Sequence, residues 1–325
     1  MFLLDAVVTE VLAMGARTLA QIASARHPED VPDPRFALVS RPRTASDPSA
    51  EASSFEALAA QDDAAMDVAV GAALIARDVY GNLDVDALLA RFDELAAPLV
   101  EAGLALLPPR AQALALAEHL YVSCSFSGNE KEYYDPRNSL ISDVLERRLG
   151  IPITLALVYC EVARRVGVRA RGVGFPGHFL VRIDPVDRDE PVLVDPFFGG
   201  KILDDEALGK LLERVTGKSA PIRVEHLAPA SARAVLLRIL HNLRGIYLSR
   251  GDTARAMLVI DRMVCLTPNA PEPLRERGLL SAKLGATSAA QADLQRFLEL
   301  APFAEDAPQI RARLKELKAK KSSLN

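Results

Sequence analysis

Between Gly150 and Gly200 the chain changes its period. An apolar run at helical spacing opens at Gly150-Ile151-Pro152 and ends at Val166-Gly167. The residues that follow alternate instead, in short runs at 169–174, 179–183 and 192–194, with charged, turn-like residues at 185–191. A helix feeding short strands commits this stretch to an α+β arrangement, because a 3.6-residue and a 2-residue period cannot share one element. Chemistry-bearing residues fall at the strand boundaries. His178 follows Gly177 into one strand, and Asp195 closes the next before Pro196.

A His and an Asp placed beside a helix start form the support of a thiol nucleophile. The helix dipole and an imidazolium stabilise the thiolate, and the acid orients the imidazole. The nucleophile belongs at the opening of the helix, where the chain reads Gly150-Ile151-Pro152-Ile153-Thr154 and holds no Cys. Pro152 suits the first turn, where its missing N–H removes no bond, and it supplies no nucleophile. Thr154 offers a hydroxyl, either as a nucleophile or as a first-turn residue bonded to backbone. Cys160 lies eight residues into the helix, about 12 Å along its axis at roughly 1.5 Å per residue, within the apolar LALVYCEVA. Cys124 borders a polar loop and is the second candidate nucleophile, whereas Cys265 reads as a core thiol. His178 reads equally as a buried, hydrogen-bonded histidine. His178, Asp195 and Asp135 could hold a metal, but no spacing demands it, so neither metal nor cofactor is expected.

The three cysteines, at 124, 160 and 265, are an odd count without CxxC spacing, which points to reduced thiols in a cytoplasm. A net charge of −4 and the absence of Trp argue against nucleic acid and anionic membranes as partners. The first 25 residues are apolar but are broken by Asp5 and Glu10, with no basic residue ahead of them; they read as an amphipathic helix. No uninterrupted apolar run is long enough for a membrane span.

Residues 28–50 are rich in Pro, Asp and Ser and read as a linker. Helical patterning follows over 67–79, over 85–100 behind Asp84 as N-cap, and over 108–122. The stretch SFSGNEKEYYDPRN, 125–138, reads as a loop. Its Tyr133, Tyr134, Asp135 and Asn138 are either a ligand surface over the cleft or, for Asp135 and Asn138, satisfiers of loop backbone. Ser139 is placed as the cap of the next helix, with Gly150 closing it.

The C-terminal third repeats. Gly251 and Gly285 stand 34 residues apart, as do Pro268 and Pro302, and Ala256, Ile260 and Met263 align with Ala290, Leu294 and Phe297. That period resembles the tetratricopeptide repeat, in copies 237–270 and 271–304. Tyr247 fits the first-helix aromatic but faces Ser281 in the second copy; Gly278 fills the small position, where the first copy has Arg244. Two copies cannot cover their own apolar faces, so a capping helix over 306–320 and packing on the preceding domain are expected.

Four segments carry a wider likeness: Tyr133-Tyr134-Asp135-Pro136-Arg137-Asn138-Ser139, Leu145-Glu146-Arg147-Arg148-Leu149-Gly150-Ile151-Pro152-Ile153, Gly174-Phe175-Pro176-Gly177-His178-Phe179, and Asp195-Pro196-Phe197. Over roughly residues 55–310 the chain resembles the transglutaminase-like superfamily, and within it the bacterial Sir-B type proteins, which join such a domain to tetratricopeptide repeats. The resemblance implies a transglutaminase-like (papain-like cysteine protease type) α+β domain. It matches Gly150 to the Gly preceding the family's Cys, Pro152 to the Cys, His178 to the catalytic His and Asp195 to its Asp. It therefore implies a remnant site. The expected organisation is an N-terminal helix and linker over 1–50, a transglutaminase-like domain over 51–230, and a repeat unit over 231–325. The expected function is a catalytically degenerate module that binds and regulates a protein or peptide partner. The competing reading is a hydrolase or acyltransferase using His178 and Asp195 with Thr154 or Cys124.

Overall fold

The computed structural model describes residues 54–185 and 190–322. The expected N-terminal helix and linker over 1–50 lie outside the described residues. In chain order the elements are α1 (Phe55–Ala59), α2 (Val68–Tyr80), α3 (Val85–Val100), α4 (Pro109–Ala117), β1 (Ser127–Gly128), α5 (Ile141–Arg147), β2 (Leu149–Gly150) and α6 (Pro152–Arg165). They continue as β3 (Ala170–Val173), β4 (Leu180–Ile183), β5 (Val192–Asp195), β6 (Lys201–Leu203) and α7 (Asp205–Thr216). Five helices follow: α8 (Ala232–Ser249), α9 (Thr253–Leu266), α10 (Pro271–Lys283), α11 (Thr287–Leu300) and α12 (Ala307–Ser322). The architecture is α+β, as the change of period requires. No helix among the described residues is long and apolar enough to cross a membrane.

The chain divides into two compact units, which group residues 54–82 apart from the rest of the expected 51–230 stretch. Residues 83–231 form one; residues 54–82 join 232–322 in the other. The reason is the apolar face of α2. Gly71 in that helix lies so close to Leu236 of α8 that a Cβ there would stand 2.6 Å from a Leu236 methyl. Ion pairs reinforce the join. Arg262 of α9 makes a two-pronged contact with Asp78 of α2, at 2.7 and 2.8 Å, and a further one with Glu56. Arg233 donates to the carbonyls of Ala59, Gln61 and Leu266. Helices α1 and α2 thus cover the face that two repeats leave open.

Within that unit the repeat landmarks have distinct physical roles. Gly251 and Gly285 turn the chain between paired helices at φ of 69° and 81°, a conformation that disfavours any side chain. Ala256, Ile260, Ala290 and Leu294 are fully buried. Helix α12 caps the stack, with Ile310, Leu314 and Leu317 closing on Leu294 and Phe297. Gly278 marks the closest approach of α10 to α11: a Cβ there would meet Leu294 Cδ2 at 2.8 Å and Asp293 Cβ at 3.1 Å. Arg277 beside it grips Asp293 through two bonds of 2.7 Å. Arg244, the residue at the corresponding position of the first copy, pairs with Glu276 at 2.5 Å. Gly278→Leu is therefore expected to force α10 and α11 apart and destabilise the unit by about 1–3 kcal/mol. A denaturation midpoint unchanged from the parent would contradict this close approach.

In residues 83–231, α6 is the central element. Eleven of its residues are buried, including Leu155, Val158, Tyr159 and Val162. An antiparallel sheet runs in the order β3-β4-β5-β6, with Arg182 opposite Leu193 and Val194 opposite Ile202. Strand β6, which was not read from the sequence, completes its edge. A second layer of Val173, Phe175, Leu180 and Leu193 packs on Leu208, Leu211 and Leu212 of α7.

Candidate functional site

Histidine and acid are brought together by the turn into β4 and the pairing of β4 with β5. Gly177 at φ 64° lets the chain reverse into β4, and His178 follows with its N–H donated to the Phe175 carbonyl at 3.0 Å. β4 and β5 are adjacent, so His178 before one and Asp195 at the end of the other come within reach. His178 Nε2 lies 3.0 Å from Asp195 Oδ1 and 3.1 Å from Oδ2, with both residues buried. Carboxylate oxygens only accept, so Nε2 carries the proton and Nδ1 is the free nitrogen. Asp195 Oδ1 also accepts from the backbone N–H of Phe197 at 3.0 Å and of Phe198 at 3.4 Å, which fixes the turn after β5.

That turn reaches the start of α6. β1 and β2 pair in parallel, Gly128 opposite Gly150, and a Cβ on Gly128 would stand 2.6 Å from the Phe197 carbonyl. Phe197 in turn packs edge-on against His178 at 6.2 Å. At the helix start itself, Pro152 and Thr154 are both buried. Thr154 Oγ1 accepts the Ile151 N–H at 3.1 Å and donates its proton to the Asn138 carbonyl at 2.7 Å. Its hydroxyl is committed to holding the helix end on the preceding loop.

Of the loop residues singled out, Asn138 offers no surface: it is fully buried. Its Nδ2 donates to the Glu132 carbonyl at 2.7 Å and to the Tyr133 carbonyl at 3.2 Å, and its Oδ1 accepts from Asn129 Nδ2 at 3.0 Å. Asp135 caps the following turn by accepting the Arg137 N–H and side chain. Burial raises the Asp135 carboxyl, but the Arg137 hydrogen bonds and the charges of Arg137 and Arg147 outweigh it and hold it below the usual carboxylate range. The aromatics differ. Tyr134 is 74% exposed, and Tyr133 packs between it and Phe197. Phe198, 42% exposed, stacks over His178 at 6.3 Å. Phe198 had no signal beyond its place after the Asp195-Pro196-Phe197 segment.

None of the three thiols is placed as the partner of His178. Burial pushes the Cys160 thiol far up, with Glu161 adding to the effect. Cys265 lies in the other unit and is also raised, chiefly by burial. Cys124 pairs with His119 at 3.5 Å rather than with His178. Two expected caps are also different. Leu140, not Ser139, stands at the start of α5, and the Ser139 hydroxyl is buried without a partner. The helix ends on Arg148, in the left-handed conformation at φ 60°, while Gly150 lies in β2. Among the described residues no group of three or more His, Cys, Asp or Glu is arranged to hold a metal ion.

A helix start, a His and Asp at neighbouring strand ends, and a stack of helical pairs define the class: a transglutaminase-like domain followed by tetratricopeptide repeats. Residues 84–241 match the transglutaminase-like superfamily, and residues 243–315 match the tetratricopeptide repeat. The chain belongs to the UPF0162 protein family. It is 42% identical over 269 residues to a UPF0162 protein of Xylella fastidiosa (strain 9a5c), covering 81% of this chain and 94% of that relative. A UPF0162 protein of Vibrio cholerae serotype O1 is 30% identical over 212 residues, covering 64% of this chain and 78% of the relative. F-box only protein 21 of Mus musculus shares 48% identity over 63 residues, 19% of this chain and 10% of that protein. No solved structure matches the chain.

Proposed function

We propose that this protein is a Sir-B type, catalytically silent transglutaminase-like protein. It holds a peptide segment of a protein partner at the cleft beside His178, and so regulates that partner in the cytoplasm. The observation that carries the reading is the helix start: Pro152 has no reactive atom, and the Thr154 proton is donated to the Asn138 carbonyl. A hydroxyl so engaged has no proton to give a base. The alternative partner for the His178–Asp195 pair, Cys124, lies beside His119, 3.5 Å from its Nε2, rather than beside His178. The aromatic rim of Tyr133, Tyr134 and Phe198 supports binding, since such side chains contribute large contact area at low entropic cost. Tetratricopeptide repeats generally mediate protein–protein contacts, which supports a protein partner over a small substrate.

The purified chain is expected to release no product from amide or thioester acyl donors. Thr154→Val, which keeps shape and removes the hydroxyl, is expected to cost about 2–3 kcal/mol, because the Ile151 N–H and Asn138 carbonyl lose their buried partner. Turnover abolished by His178→Ala, with the thermal midpoint retained, would overturn the silent-site reading. Partner capture should fall in the Tyr134→Ala, Phe198→Ala double variant; capture indifferent to both changes would move the binding surface away from the cleft.

A further inference from the structure

A polar cavity lies in residues 83–231, lined by Arg91, Glu94, Leu95, Pro98, His119, Cys124 and Arg148, with a volume of about 180 Å³. None of these residues belongs to the His178 site. Three local irregularities bring its polar groups together. Helix α4 runs on into a π-helical turn, Glu118–Ser123, and such turns are frequent where function requires a side chain to be redirected. Ser125, directly after Cys124, has φ 59°, and Arg148 has φ 60°. These are the two non-glycine residues with positive φ among the described residues, and one lines the cavity while the other flanks it. Glycine is the residue that the end of α5 favours, so the choice of Arg148 there is made at the expense of backbone stability.

The chemistry selects binding over catalysis. His119 Nε2 lies 2.7 Å from the Leu95 carbonyl and 3.5 Å from Cys124 Sγ. A carbonyl only accepts, so Nε2 bears the proton and cannot take one from the thiol. Burial raises the Cys124 thiol above its ordinary value, and the Arg148 charge only partly offsets this. The arginines are the active feature. The Arg148 guanidinium lies over the Phe126 ring at 4.7 Å, and its Nη1 is enclosed with no acceptor. Arg91 uses one nitrogen on the Leu145 carbonyl at 2.9 Å. Two guanidiniums lining one cavity match the planar oxygens of a carboxylate. Glu94 is exposed and can accept from a donor group at the ligand's other end, while Leu95 and Pro98 form an apolar wall.

We propose that this cavity is a binding site for a small carboxylate of amino-acid size, held at Arg148 and Arg91 with its donor end toward Glu94. The test uses the full chain and reads alkylation of Cys124 by N-ethylmaleimide, resolved from Cys160 and Cys265 by peptide mass spectrometry. Glycine, alanine and acetate are the probes, with acetamide and inorganic phosphate as controls. At a few times the dissociation constant a carboxylate should slow Cys124 labelling about three- to fivefold, while acetamide leaves it unchanged. Arg148→Gly should abolish that protection and keep or raise the thermal midpoint, because glycine fits φ 60°. No protection by any carboxylate, or protection that survives Arg148→Gly, would overturn the proposal. Stronger protection by phosphate than by every carboxylate would overturn the assignment of ligand class.

Discussion

Replacing Asp195 with Ala should destabilise residues 83–231 by about 3–5 kcal/mol, the scale expected when several donors around one buried carboxylate lose their acceptor together. Asp195 is 2% exposed and serves three donors: the His178 ring and the backbone N–H groups of Phe197 and Phe198. Alanine leaves the His178 ring and the Phe197 N–H in the interior without an acceptor, each at its own desolvation cost, and the Phe198 N–H loses a partly buried one. Asp195→Asn keeps one oxygen and the side-chain shape, so its loss should be smaller, on the order of 1–2 kcal/mol. The chain has no Trp, so circular dichroism and calorimetry are the suitable probes. The transition of residues 232–322 is the internal reference. An Asp195→Ala protein within about 1 kcal/mol of the parent would mean that Asp195 is not the support of this turn.

Asn138→Ala is the second large effect, about 2–4 kcal/mol. Its side chain joins both ends of the loop at 129–138, and alanine would strand the carbonyls of Glu132 and Tyr133 and the amide of Asn129. The backbone carbonyl of the same residue receives the Thr154 hydroxyl, so slackening here should also loosen the start of α6. Hydrogen exchange should therefore accelerate over 129–138 and at the first turn of α6, and stay unchanged over 253–300. Exchange confined to Tyr133 and Tyr134 would show that the loop is held by other bonds. The outcome also bears on the aromatic rim, since Tyr133 and Tyr134 sit on the loop that Asn138 anchors.

The three thiols illustrate how far spacing alone carries. A position eight residues into an apolar helix is enough to predict an inert Cys160, because desolvation of a thiolate depends on surroundings that an apolar run supplies by itself. Cys124 is different. Its partner is His119, five residues earlier, a separation that brings side chains together on a π-helical turn, and no residue pattern announces that turn. The cavity with Arg91 and Arg148 was invisible for the same reason.

Local chemistry in the sequence was sufficient for several elements. The Asp84 cap forms, accepting the Ala87 N–H at 3.0 Å, because a short carboxylate before a helix satisfies an otherwise orphan donor. Gly251 and Gly285 mark turns because their positive φ excludes other residues. The strands at 170–173, 180–183 and 192–195 follow from alternation, and β4 and β5 are neighbours in the sheet. What depends on partners far along the chain was decided by packing alone. Residues 54–82 join the repeats because Gly71 admits Leu236, a contact between residues whose separation leaves no trace in local pattern. Gly150 is small because Thr154 and Leu155 press on it, at 2.9 and 3.0 Å from a would-be Cβ, not because it ends a helix. Helix α5 ends on Arg148 because Leu149 and Gly150 are drawn into pairing with Ser127 and Gly128. The identities of His178, Asp195 and Pro152 could be read from the chain. The direction in which the Thr154 hydroxyl points its proton could not, because a hydrogen bond across sixteen residues is set only when the loop closes.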